Sequence, residues 1–294
     1  MTLPLQHDDG ARKLARAAYE TLEPLHVIAY FSPHLTEITK SAGLNWKAGY
    51  VGARGGPLGA TPDAVVTSCF FNFSPAVISA GWDGAVAHGL SAVMELREQA
   101  VDKSVREALG ASIDDPEIAK VAAGLRQIAQ AQSYVGRPLA SAWSSVAWPE
   151  QPHLALWHAT SVLREWRGDA HIAVLTQAGL EPLEALVFHE ATHPDPTVRK
   201  RGMGRAASMR TRGWSEDEWA STADRLATRG ILTSADGKET LTAAGGELYD
   251  AIELATDDAA VWRDAEGATE LLERVRPYVK KVIDAGILPG TGKN

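Results

Sequence analysis

Residues 213–252 constrain this chain more tightly than any other stretch. Ser215-Glu216-Asp217-Glu218 has the form of a capping box. The serine oxygen accepts from the Glu218 amide, and the Glu218 carboxylate reaches back to the Ser215 amide. The helix that follows places Trp219, Ala223, Leu226 and Ala227 on one face. Arg229-Gly230 supplies the cation and the glycine expected at a helix end. Two short runs, 231–234 and 238–241, then flank Asp236-Gly237. Such a pair forms a two-residue hairpin turn, because both positions tolerate positive φ. Thr242 caps a last helix that starts after Gly245. A small hairpin is thus held between two helices.

The rest reads as helix after helix. Residues 11–31 carry Leu14, Ala18, Leu22, Leu25 and Ala29 at spacings of three and four. Pro24 is a bend, and Ser32-Pro33 a stop. Shorter helices are expected at 35–42, 46–53 and 62–71, and a long one at 84–109. After a break at 110–116 comes a helix over 117–134 and a short one before Trp148-Pro149. Pro152 opens a helix that ends near Gly168. The Pro- and Gly-containing stretch 136–152 divides an N-terminal domain, 1–135, from a C-terminal one, 153–294. Leu25-His26 precedes Ala42-Gly43-Leu44 much as Trp157-His158 precedes Ala178-Gly179-Leu180, which suggests a duplicated helical unit. The blander explanation is that Ala-Gly-Leu is a common helix ending.

Bulk properties narrow the class. Hydrophobic residues are 45% and charged residues 22%, a globular rather than a disordered balance. No apolar run nears the roughly 20 residues that span a bilayer, so no membrane partner is expected. Residues 1–10 lack the basic start and apolar stretch of a signal peptide. One cysteine, Cys69, forms no internal disulfide and fits a cytoplasmic setting. A net charge of −8 argues against a whole-surface hold on nucleic acid.

The order helix, Arg-Gly, apolar pair, Asp-Gly hairpin, Leu-Thr-x-x-Gly, helix resembles a MarR-type winged helix. The likeness implies a mainly α fold of duplicated winged-helix-like units, with a degenerate one in 1–135 and the C-terminal one bearing the hairpin wing. It makes 215–229 the recognition helix and admits a homodimer. Yet that helix opens on carboxylates, where base and phosphate contacts call for Arg, Lys, Asn or Gln. DNA is therefore the disfavoured partner. Against this, Arg199, Lys200, Arg201, Arg205, Arg210 and Arg212 run without an intervening acid and could line phosphates or simply face water.

More widely, Tyr30-Phe31-Ser32-Pro33, residues 52–59, residues 163–171 and the C-terminal segment resemble an actinobacterial family of winged-helix-related proteins of unassigned function. The likeness covers about 15–290. It departs at His34, where an acid is usual, and at Trp166, where a histidine is usual. It implies that Arg54, Arg164, Asp169 and His171 matter.

The leading expectation is a small-molecule binder for an apolar or aromatic ligand, using His26, Tyr30, Arg54, Asn72, His158, Arg164 and His171. The alternatives are a DNA-reading regulator using Arg199, Lys200 and Arg201, and an enzyme of specialised metabolism with Asp169 orienting His171 as base. His189-Glu190-Ala191-Thr192-His193 matches the zincin pattern literally, but Pro194 drives His193 out of the helix, so no metal is assigned. Residues 52–59 are Gly-rich but lack a P-loop's Lys-Ser/Thr ending. No cofactor is indicated.

Overall fold

A computed structural model describes residues 4–198, 202–288 and 291. Helices α1 (Asp9–Phe31), α2 (Pro33–Ser41), α3 (Trp46–Gly55), α4 (Asp63–Phe70), α5 (Pro75–His88), α6 (Leu90–Leu109) and α7 (Pro116–Ala131) come first. Then follow α8 (Pro138–Ser144), α9 (Pro152–Gln177), α10 (Pro182–Glu190), α11 (Arg205–Arg212) and α12 (Glu216–Thr228). The hairpin strands β1 (Leu232–Ala235) and β2 (Lys238–Leu241) precede α13 (Ala243–Ala259) and α14 (Ala268–Asp284). The chain is mainly helical with one small antiparallel hairpin among the described residues.

Two compact units interleave along the chain rather than dividing at 136–152. The first is Met1–Pro62, Ala80–Ala170 and Asp257–Asn294; the second is Asp63–Ser79 and His171–Thr256. The stretch expected as a linker is core instead. Leu139, Ala140 and Trp143 of α8 are all fully buried in the first unit.

In the first unit, the Asp8 carboxylate caps α1 by accepting from the Ala11 amide at 2.8 Å. Pro24 is accommodated inside α1. Ser32 ends α1 in extended backbone, and its hydroxyl caps α2 through the His34 amide at 3.2 Å. Helix α14 packs on α1, α6 and α7 and buries Leu271, Leu272, Val275, Val279 and Val282. The helix expected over 84–109 is two helices, α5 and α6, because Gly89 takes φ +99°, outside the helical region. Among the described residues, this unit has no strand, so no hairpin wing accompanies the degenerate winged-helix-like unit expected in 1–135. Helix α9 runs through Gly168 and ends at Gln177, later than expected.

The second unit is built on the capping box and turn read from the sequence. The Ser215 amide donates to Glu218 at 2.8 Å, and the Glu218 amide to Ser215 Oγ at 3.3 Å. The buried face of α12 is Trp219, Thr222, Ala223 and Leu226; Ala227, expected on that face, is exposed. The two strands pair Leu232 with Leu241 and Ala235 with Lys238. Asp236 and Gly237 take φ +52° and +69°, as a type I′ turn requires. Thr192 adds a parallel bridge to Thr240, donating to Glu239 O at 2.9 Å and accepting from the Leu241 amide at 2.8 Å. Leu183, Phe188, Trp219, Leu226, Leu232, Leu241 and Ile252 form the core.

Candidate functional site

The first unit encloses a charged cluster on three helices. Arg54 of α3 donates from Nε and Nη2 to the two oxygens of Glu165 on α9, at 2.7 and 2.8 Å. Such a fork-to-fork pair is the strongest geometry available to these groups. Arg164 adds a second guanidinium at 3.1 Å from Glu165 and reaches Glu23 of α1 at 3.3 Å. Burial alone would raise the Glu165 pKa, but Arg54 and Arg164 outweigh it and hold the carboxyl well below the usual range. His26 of α1 shares Ser161 through Nδ1 at 3.0 Å. Burial first, then Arg164, lowers its pKa to about 3, so the ring is neutral. Tyr30 packs edge-on to His26, and burial raises its hydroxyl pKa. The Tyr30 hydroxyl is buried and has no hydrogen-bond partner among the described residues. A native structure seldom leaves such an atom unsatisfied without a water or ligand in play.

Beside this cluster lies a small cleft, partly open to solvent, with a cavity volume of ≈ 20 Å³, walled by Tyr19, Leu22, Leu163 and Trp262 and by the charged Glu23, Arg164 and Arg167. Its charges are already balanced within the unit, since Arg167 pairs with Asp257 at 3.0 Å and stacks over Tyr19. His158 lies apart from His26, against Trp143 and Trp148. Burial, then Arg97 and Arg126, lowers its pKa to about 3. Arg97 is itself buried, donates to Ala53 O at 3.0 Å and sits 4.6 Å from the Trp143 ring centre.

The sequence candidates thus fall in several places. His26, Tyr30, Arg54 and Arg164 come together in the first unit. Asp169 accepts from the Ala140 amide at 2.9 Å, and burial raises its pKa to about 6. His171 belongs to the second unit, where its ring contacts Thr256 at 2.9 Å and His189 at 3.2 Å. Asn72, also in the second unit, accepts through its main-chain oxygen from Trp214 Nε1 at 2.9 Å.

The His189–His193 motif is split by the end of α10. Glu190 is the last helical residue, and Thr192 is already in its bridge to Thr240. Glu190 accepts from the Met203 and Gly204 amides and from Ser208 Oγ, which ties it to the start of α11. His193 lies 3.7 Å from Asp250. Arg199, Lys200 and Arg201 lie outside the described residues. Arg205 pairs with Glu216 and Glu239, and Arg229 with Glu184 at 2.9 Å, so two basic side chains near α12 face acids of the same unit.

Sequence reasoning missed Glu165, the hub of the first cluster, because its partner Arg54 lies 111 positions away. It also missed Glu253, which the fold carries to His171 and His189.

A profile of the helix-turn-helix family matches residues 15–289, and the chain belongs to that family. No curated protein and no solved structure matches it. Among the described residues, no helix is long and apolar enough to cross a membrane.

Proposed function

We propose that the protein binds a small apolar or aromatic molecule in the first unit, on a scaffold whose second unit is a MarR-like winged helix with weak or absent DNA binding. The observation that carries this reading is the cleft beside the Arg54–Glu165–Arg164 cluster. Tyr19, Leu22, Leu163 and Trp262 offer the apolar walls, and Glu23, Arg164 and Arg167 the few polar anchors that fix orientation. Because those charges are mutually compensated, the site suits a neutral or weakly polar aromatic better than a strong anion. The acidic opening of α12, with Glu216, Asp217 and Glu218 all exposed, supports the second half of the reading.

The test is a fluorescence titration with indole, benzoate and naphthol, following the tryptophan emission. At least one probe saturates, Tyr19→Ala weakens it at least tenfold, and Glu270→Ala, at an exposed position away from the cleft, leaves it unchanged. Absence of saturable binding by every probe, together with native mass spectrometry showing no copurifying small molecule, overturns the reading. So does binding indifferent to Tyr19→Ala.

A further inference from the structure

We propose that His171, His189 and Glu253 in the second unit form a binding site for a divalent transition-metal ion of the zinc class. This stands apart from the ligand cleft, which belongs wholly to the first unit. The three residues come from three helices, α9, α10 and α13, and are separated by 18 and 64 positions in the chain. One ligand atom from each lies within 4.8 Å of the other two.

The imidazole geometry is the first argument. The two Nε2 atoms are 3.2 Å apart. Two nitrogens bound tetrahedrally to one zinc, each at about 2.0–2.1 Å, are separated by about 3.3–3.4 Å. The rings therefore stand close to the spacing of a shared ion, and little movement is needed to receive one.

Proton bookkeeping is the second argument, and it is independent of the first. Thr256 Oγ1 donates to Ile252 O, one turn back on α13, at 2.8 Å. A hydroxyl has one proton. Towards His171 Nδ1, at 2.9 Å, Thr256 must then accept. Nδ1 therefore carries the hydrogen, and in the neutral ring the lone pair lies on Nε2, the atom that faces His189. A ligating histidine ordinarily donates its other N–H to an outer partner in this way, which fixes the tautomer and aims the ring. Helix α13 supplies both parts: Glu253 as the oxygen ligand, and Thr256 three residues on as the orienting acceptor.

The donor set selects the ion. Two imidazoles and a carboxylate, with no thiolate, suit Zn²⁺, Co²⁺, Ni²⁺ or Cu²⁺ rather than Ca²⁺ or Mg²⁺, which prefer all-oxygen shells. Three protein ligands leave a fourth position for water or another small donor. All three residues are half-buried, so an ion has a route in from solvent, and the Tyr249 ring lies 5.8 Å from that of His189. The rival arrangement is a plain N–H···N bond between the two rings, with His189 as donor.

The experiment uses the full chain, dialysed against a chelator and titrated with Co²⁺. One equivalent binds, gives the intense visible bands of tetrahedral cobalt, and is displaced by Zn²⁺. His189→Ala and Glu253→Gln each weaken binding at least tenfold, and Thr256→Val weakens it by about 10–100-fold by freeing the His171 ring. His193→Ala, which removes the other histidine of the local motif, leaves binding unchanged. Circular dichroism of each variant separates loss of the site from loss of the fold. Should His189→Ala fail to fold, the wild-type ¹H–¹⁵N imidazole spectrum decides: Zn²⁺ shifts the His171 and His189 signals if they are ligands. No stoichiometric binding, unshifted imidazole signals, or binding untouched by His189→Ala in a folded variant overturns the proposal.

Discussion

Glu165 is 1% exposed and still ionised, which is physically tenable only because Arg54 and Arg164 both reach it. Removing one partner should hurt more than the pair contributes. Arg54→Ala leaves a buried carboxylate short of a guanidinium and should cost about 3–5 kcal/mol in urea unfolding. Arg54→Met with Glu165→Met should recover most of that loss, leaving Arg164 to Glu23. A single variant no worse than the double would contradict this account. Acid sensitivity belongs to the same scale. His158 is neutral in the fold, with a pKa near 3 against 6.5 when unfolded. Unfolding takes up a proton between those values, so the contribution is whole above about pH 6.5 and drains as pH falls towards about 3. His158→Leu should lose about 2 kcal/mol less than the wild type between pH 6.5 and 5, measured by paired urea titrations. Of the first cluster, His26 could be picked from its place on an apolar helix, and Tyr30, Arg54 and Arg164 from the stretches that carry the family resemblance. Glu165 could not, since nothing local distinguishes a carboxylate that meets Arg54 across 111 positions from one that faces water.

Elements were legible where the signal is local. The Ser215 capping box, the Asp236-Gly237 turn and the Thr242 cap are each set by neighbours within a few residues, and each stands as the spacing predicts, except that the helix Thr242 caps begins at Ala243 rather than after Gly245. Helix α9 was underestimated for the opposite reason. A mid-helix glycine costs only about 1 kcal/mol, and Leu163, Trp166, Ala170 and Leu175, all buried on either side of Gly168, outweigh it. The interleaving of the two units left no mark on composition, because it is decided by which helices pack together. Gly245 tests how tightly the hairpin is locked to α13. A Cβ there would lie 1.9 Å from the Ile231 carbonyl oxygen, main-chain atoms that cannot swing aside. Gly245→Ala should therefore destabilise by more than about 2 kcal/mol, well beyond the roughly 1 kcal/mol of Ser215→Ala, which removes a single exposed cap. A thermal melt of the two variants side by side checks the order, and Gly245→Ala melting with the wild type would mean that the strand and helix are free to part.

Charge is the property that only the whole molecule expresses. The chain carries −8 overall, and its second unit has 14 acidic against nine basic side chains. The chain belongs to a helix-turn-helix family, yet affinity for DNA rests on counterion release, and each carboxylate near the phosphates subtracts from it. Arg205 is held by Glu216 and Glu239, and Arg229 by Glu184, so those cations are already engaged. We predict that a mixed duplex binds no tighter than the non-specific range of about 10⁻⁴–10⁻⁶ M, with a shallow dependence on salt. Glu216→Gln with Asp217→Asn removes two exposed charges and leaves Arg205 with Glu239 as its one acidic partner, while the Glu218 capping contact stays intact. Affinity should rise for every sequence alike, and log K should fall more steeply with log salt, by about one unit per phosphate newly contacted. Electrophoretic mobility shifts across a salt series read both quantities. Nanomolar binding by the wild type to one genomic fragment, steep in salt and abolished by alanine at Arg199, Lys200 and Arg201, would restore the regulator and displace the ligand binder.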